Sequence, residues 1–356
     1  MSQKMNPFPG LRPFEMQEKY LFFGREDQTV ELLKRLGQAR FLAVVGTSGS
    51  GKSSLVRAGL LPELHGGTMT DAGSSWEISV MRPGGDPLTN LARALEDSGI
   101  YDTDEENYYR HLRAMLGRST MGLIEAVAQS KIKKEDNLLI VVDQFEEIFR
   151  FRSDNANHAE EAASFINLLL EAAEQTEKSI FVIITMRSDF LGDCSQFRGL
   201  AEAVNEGEYL IPRLNRNQRR LAIEGPVKVG GKQIEARLVQ QLLNDIGDDP
   251  DQLPILQHAL MRTWEYHEKG GGQGNLDLEH YEATGGMQEA LSRHADEVYD
   301  ELPTDEDRKY CEKIFKALTE RVSEGRGIRH PMAMGELAEV VGADDPRKLV
   351  PIVEAY

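Results

Sequence analysis

The sequence predicts a doubly wound α/β fold with a parallel sheet, followed by an all-helical section, and three observations carry that expectation. Short, near-continuous apolar runs, FLAVV (41–45), LLIVVD (138–143) and IFVIITM (180–186), have the composition of strands covered on both faces. Helical spacing fills the segments between them. Beyond Asn215 the strand runs nearly vanish, while helical spacing continues almost to the last residue.

In chain order, the first 24 residues contain NPFPGLRPF, whose prolines break helical periodicity, so an extended arm running into a loop is expected. Val30, Leu32, Leu33 and Leu36 suit a helix over 26–36. The run 41–45 is the first strand, and 52–61 is a helix stopped by Pro62. Strands follow at 76–81, 138–143 and 180–186, with helices at 87–95, 108–116, 123–130 and 159–173 between them. A short strand at 208–211 ends the α/β part. Helices are then expected at 217–223, 235–243, 253–266 and 288–302, with KGGGQG (269–274) as a flexible internal loop. The section 305–356 has two or three short helices around a polar GRGIRHPM, compatible with a winged helix cut short, because LVPIVEAY stops within a helical pattern. The expected domains are an N-terminal arm (1–24), an α/β core (25–214), a helical domain (215–303) and a truncated winged-helix-like domain (304–356) of a longer protein.

The chain of 356 residues carries 41 Lys plus Arg against 59 Asp plus Glu, a net charge of −18. Such a surface repels a phosphate backbone, so nucleic acid is not the expected partner. The basic strip Arg213, Arg216, Arg219 and Arg220 is read as a solvated helix face. No apolar run approaches the roughly 20 residues that cross a bilayer, and MSQKMNPFPG has no apolar signal segment, so a cytoplasmic location without membrane contact is expected. Only Cys194 and Cys311 are present, and the eight His show no ligand spacing, which argues against zinc and a structural disulfide.

The chemistry-bearing stretch is GTSGSGKSS, directly after the first strand. Gly46, Gly51, Lys52 and Ser53 match GxxxxGK[ST] in a strand-loop-helix setting. Glycines let backbone N–H groups turn around a phosphate, and the helix N-terminus adds partial positive charge. Gly46, Thr47, Ser48, Gly49, Ser50, Gly51, Lys52, Ser53 and Ser54 are therefore nucleotide-binding candidates, with Lys52 on the β and γ oxygens and Ser53 on Mg2+. Such a loop requires an acid at the end of a second apolar strand, and LLIVVDQFEEIF supplies Asp143 for the metal side. Glu147, preferred over Glu146, is the candidate that polarises the attacking water. Thr185 and Arg187 close the strand IFVIITMR, where Arg187 would meet the γ-phosphate or, alternatively, pair with Asp189.

These segments, together with NPFPGLRPF…LFFGRE, TMRSDFLGDC, LAIEGP and LPILQHALMRTW in the same order, resemble the STAND class of P-loop NTPases over about residues 6 to 350. Within that class they are most similar to the novel STAND NTPase domain of multidomain bacterial proteins, often beside WD-repeat propellers or effector domains. The resemblance implies a P-loop core followed by an all-α lid and a winged helix, and a switch that binds ADP and ATP with Mg2+. It implies ATP hydrolysis, slow and resetting, with exchange for ATP opening a closed monomer to oligomerise. Sensor and effector domains would be its partners, in signalling or antiviral defence. It places Phe23, Gly24 and Arg25 of FGRE beside the adenine and ribose, and Leu253 and Pro254 in the position of the GLPLAL segment that closes over the base. Here Gln252 stands where those relatives carry glycine. The 143–147 run resembles the DGxDE form of the acid strand, which supports Asp143 and an acid at Glu147. Arg329 and His330 lie where the family's winged helix contacts ADP, but without an MHD-like motif they are read as surface loop. The remaining alternatives are a non-hydrolysing ADP scaffold and an AAA+-like ATPase.

Overall fold

Five apolar segments pair into one parallel sheet in the order β2-β3-β4-β1-β5, with β1 (Phe41–Gly46), β2 (Trp76–Met81), β3 (Asn137–Val142), β4 (Ser179–Arg187) and β5 (Glu208–Leu210). In this computed structural model the residues described are 6–65, 75–102, 105–154, 156–175, 179–247, 252–321, 327–329 and 332–356. The register sets Gly46 opposite Arg187, and Val142 opposite both Ile184 and Met81. The carboxyl ends of β1, β3 and β4 therefore share one edge, where open α/β sheets place their ligands.

The period of two along each strand sorts the side chains into two cores. On one face Ala43, Val45, Ile140, Val142, Val182 and Ile184 are buried under α4 (Pro87–Asp97), α5 (Tyr109–Leu116), α6 (Gly122–Ala128), α7 (Glu147–Asp154), α8 (Ala156–Glu174) and α9 (Leu200–Gly207). On the other, Leu42, Val44, Leu139, Val141 and Ile183 pack against α1 (Glu26–Gln38) and the helix that follows the P-loop. Helices on both faces make the doubly wound α/β fold the sequence predicts.

Two local expectations are corrected. Val30 is 65% exposed, and the face of α1 that faces the core carries Gln28, Thr29, Leu32, Leu33 and Leu36. The helix after the P-loop does not stop at Pro62. It opens as α2 (Lys52–Ser54), widens into π-helical turns over Leu55–Leu60 and resumes as α3 (Leu61–His65). Pro62 thus lies inside a helix that continues to His65, directly after the wide turns, and π turns concentrate at functional sites.

The helical section opens with α10 (Arg216–Val229), capped by a reciprocal box in which Asn215 Oδ1 accepts from Gln218 N and Gln218 Oε1 accepts from Asn215 N, both at 3.0 Å. It continues with α11 (Ala236–Asp245) and α12 (Gln252–Lys269). The KGGGQG stretch is not a free loop: the Lys232 ammonium donates to Gly272 O (3.0 Å) and contacts His267 Nδ1 (3.0 Å) while pairing with Glu268.

The chain divides into two compact units, Met1–Leu278 and Glu279–Tyr356. Spanning the division is α13 (Leu278–Ala283), and the second unit holds α14 (Gly286–Glu301), α15 (Asp305–Ala317), an antiparallel pair β6 (Thr319–Arg321) and β7 (Gly327–Arg329), α16 (Met334–Val341) and α17 (Val350–Ala355). Its core is Leu302, Tyr310, Cys311, Ile314, Leu337, Val341, Leu349 and Ile352. His330 lies outside the described residues, as does the side chain of Arg329. Among the described residues no helix is long and apolar enough to cross a membrane, and both cysteines are free.

Gly207 joins α9 to β5 where a Cβ would lie 2.2 Å from the Phe41 carbonyl oxygen. Gly207→Ala should push β5 from β1 and lower unfolding stability by about 1–3 kcal/mol. A urea midpoint unchanged from the parent would contradict that packing.

Candidate functional site

The site is built where β1, β3 and β4 end together. After Gly46 the chain turns through Gly49 (φ 67°) and Gly51 (φ 86°), both in the left-handed region that only glycine enters without strain. Successive N–H groups in such a turn form an anion-binding concavity. A Cβ on Gly51 would meet nothing within 4 Å, so the loop faces open space. Ser48 is exposed there, whereas Ser50 Oγ is buried without a partner. The Lys52 ammonium folds back to donate to Gly46 O (3.1 Å) and Thr47 O (2.7 Å). Partial burial pushes its pKa below the ordinary lysine value, and Glu146 is the first group to oppose that shift.

Asp143, only 1% exposed, is the centre of the constellation. Its Oδ1 accepts from the Ser53 hydroxyl (2.6 Å) and from the Thr185 hydroxyl (2.6 Å), and its Oδ2 accepts from Arg57 Nη2 (3.1 Å). Arg82 Nε adds a second positive charge at 3.8 Å. Thr185 also accepts the Gln144 N–H (3.0 Å), holding that residue at φ 58°, a conformation strained for a side chain with a Cβ. This is the position where the DGxDE relatives carry glycine. An oxygen-only pair of hydroxyl and carboxylate already in contact suits Mg2+, whose remaining positions are ordinarily filled by phosphate and water.

The two glutamates separate by environment. Glu146 is buried, desolvation raises its pKa above the ordinary carboxylate value, and the Lys52 ammonium opposes that rise. Its Oε2 accepts the Arg187 N–H at 3.4 Å. Glu147 opens α7 and accepts the Gly84 N–H (2.9 Å), tying down the loop after β2. Of the two, Glu146 rather than the expected Glu147 is the acid beside the lysine. The reason is the turn at Gln144, which decides which of two adjacent glutamates follows the strand end inward.

Other candidates are sorted the same way. Arg187 ends β4 opposite Gly46, and its guanidinium pairs with Asp189 and lies 5.8 Å from the Phe190 ring centre. The Ser54 hydroxyl accepts the Phe14 N–H (3.2 Å), so its side chain belongs to the arm. Arg25 is buried and donates to Ser50 O (3.0 Å) and Pro212 O (2.7 Å), bridging the P-loop to the segment after β5, and burial lowers its pKa to about 10. Phe23 and Gly24 do not join it: a Cβ on Gly225 would meet the Phe23 ring at 2.4 Å, and one on Gly24 would meet Gln218 O at 2.4 Å, so both pack on α10. Leu253 reaches the P-loop side, lining a narrow cavity with Arg25, Thr47, Ser50, Pro212 and Arg219. Pro254 does not line it and occupies the first turn of α12. Sequence reasoning missed Arg57 and the clamping role of Thr185, and it read Arg219 as a solvated surface residue.

A glycine-rich strand-loop-helix with Lys52 and Ser53, set beside a buried acid at the end of a neighbouring strand, defines a nucleotide-binding P-loop NTPase. The profile of the novel STAND NTPase 1 family matches residues 7–355, and the chain belongs to that family. The Aeropyrum pernix ORC1 protein, solved in complex with DNA, is similar at a TM-score of 0.54 and 14% identity, over 99% of this chain and 86% of that one. The ORC2 protein of the same organism, solved in ADPNP-ADP complexes, is similar at 0.53 and 11%, over 85% and 74%. At these identities the likeness is one of fold. No curated protein matches the chain.

Thr185→Val keeps the shape of the side chain but leaves the Asp143 carboxylate short of a donor and the Gln144 N–H without an acceptor. Unfolding stability should fall by about 1–3 kcal/mol, with weaker nucleotide binding. A melting temperature and an ADP affinity both equal to the parent's would contradict the clamp.

Proposed function

We propose that this chain is an adenine-nucleotide switch that hydrolyses ATP slowly, with Lys52, Ser53, Asp143, Glu146 and Arg187 as its working residues. The observation that carries the reading is the clamped Asp143 carboxylate in contact with Ser53, beside a buried Glu146 electrostatically coupled to Lys52. Lys52 leaves the carbonyls of Gly46 and Thr47 for the β and γ oxygens, where a full positive charge is best used. Ser53 and Asp143 would hold Mg2+, which when bound neutralises developing charge on the phosphates. Glu146 accepts a proton from the water whose oxygen attacks the γ-phosphorus, as the bond from that phosphorus to the ADP oxygen breaks. Arg187 must exchange Asp189 for the γ-phosphate. That exchange offers the differential contact a switch requires, because only a group that distinguishes two states shifts their populations.

Leu253, Arg25 and Arg219 line the side on which the adenine and ribose would sit. The switch reading, the sensor and effector partners, homo-oligomerisation and roles in signalling or defence are carried over from the family resemblance. The net charge of −18 argues against nucleic acid as a partner and suits a cytoplasmic protein. A second reading, an ADP-binding scaffold without turnover, is favoured by one observation: Lys52 and Arg187 are both engaged within the chain itself.

Phosphate release from Mg-ATP decides between them. Glu146→Gln should lower the rate by about 10²- to 10⁴-fold, whereas Glu147→Gln should retain most of it. Because the working form of Glu146 is the carboxylate and burial raises its pKa, activity should fall on acidification with a midpoint above the ordinary 4.5. Loss in Glu147→Gln with activity kept in Glu146→Gln would reverse the assignment, and tight ADP with no release from the parent would favour the scaffold.

A further inference from the structure

One guanidinium connects the N-terminal arm to the metal-side carboxylate. Arg57, in the π-helical turns after the P-loop, donates through Nη2 to Asp143 Oδ2 (3.1 Å) and through Nη1 to both carboxylate oxygens of Glu15 (2.8 and 3.0 Å). Next to Glu15, the Phe14 N–H is bound by Ser54, and Phe14 is buried with Leu21 and Ala58. The arm is thus seated on the same turns that carry Lys52 and Ser53. At its other end, Asn6 Nδ2 donates to Met261 O (3.1 Å) on α12.

The charges make this contact more than packing. Arg57 alone beside Asp143 opposes a cation held there, and Arg82 adds to that opposition. Glu15, on the far side of the guanidinium, offsets it. With the arm seated, Asp143, Arg57 and Glu15 together carry one net negative charge; with the arm lifted, Asp143 and Arg57 cancel. Arg57 also fixes Oδ2, leaving Oδ1 turned toward Ser53 and Thr185.

We propose that Arg57 is a positioning residue for Asp143 and that, through Glu15, seating of the N-terminal arm and binding of the divalent cation are linked equilibria. Linkage is reciprocal, so a cation that binds more tightly with the arm seated must seat the arm by the same factor. The site then reports its metal-nucleotide state to the arm and, through Asn6, to α12. The proposal rests on the assignment of Ser53 and Asp143 to Mg2+.

The test titrates Mg2+ into the protein-ADP complex for the parent, Glu15→Gln, Arg57→Gln and the double variant, and measures ADP affinity in EDTA beside it. Glu15→Gln should weaken Mg2+ about fivefold, leave ADP affinity in EDTA unchanged, and have no further effect in the Arg57→Gln background. Hydrogen exchange on the parent, which needs no variant, should show slower exchange over residues 14–22 with Mg-ADP than with ADP in EDTA. Equal Mg2+ affinity in Glu15→Gln, an equal loss with and without Arg57, or exchange indifferent to Mg2+ would each overturn the linkage alone. If ADP does not bind, or Ser53→Ala leaves the Mg2+ dependence untouched, the assignment of the site fails and takes the linkage with it.

Discussion

A carboxylate that is 1% exposed is the constraint on which the rest of the site depends. Removing Asp143 from water costs several kcal/mol unless each oxygen finds donors, and the cost is met from three directions. Ser53 comes from the helix after the P-loop, Thr185 from β4, and Arg57 from the π-helical turns. Thr185 belongs to the sheet itself, and the helix that carries Ser53 and Arg57 is held by Leu55, Val56 and Leu60 packed on one face of it. The parallel register then brings the ends of β1, β3 and β4 level, so that Ser53 and Asp143 meet across ninety positions of sequence.

The same geometry explains why two adjacent glutamates, identical in composition, end in different environments. Gln144 turns the chain in a left-handed conformation, Phe145 enters the core with its N–H on Thr185 O (2.8 Å), and Glu146 follows toward Lys52. Glu147 starts α7 and is taken by the Gly84 N–H. Desolvation raises the Glu146 pKa above the ordinary carboxylate value while the Lys52 ammonium opposes that rise, an environment Glu147 does not share.

The strands and the P-loop were legible because their signals are local. Runs such as 41–45 and 138–143 need no partner to be recognised as buried strands, and the spacing of Gly46, Gly51, Lys52 and Ser53 is dictated by the phosphate it surrounds. What was not legible depends on distant partners. Val30 has the apolarity of a core residue, yet the phase of α1 is set by Leu32, Leu33 and Leu36, which leaves it in solvent. Pro62 is a helix stop by local rule, yet the helix with π turns before it runs on through Pro62 to His65. Arg57 and Arg219 look like ordinary surface cations in sequence, because Glu15, Asp143 and the cavity that place them lie on other elements. FGRE drew attention by resemblance, but only Arg25 reaches the P-loop while Phe23 and Gly24 hold α10.

The identity of the nucleotide retained through purification tests the nucleotide-switch reading most directly. Denaturing the purified chain and separating the released small molecules should yield ADP or ATP at close to one equivalent per chain, with the retained nucleotide lost on Lys52→Ala. A chain that emerges without nucleotide, and that binds neither Mg-ADP nor Mg-ATP when they are added back, would contradict it.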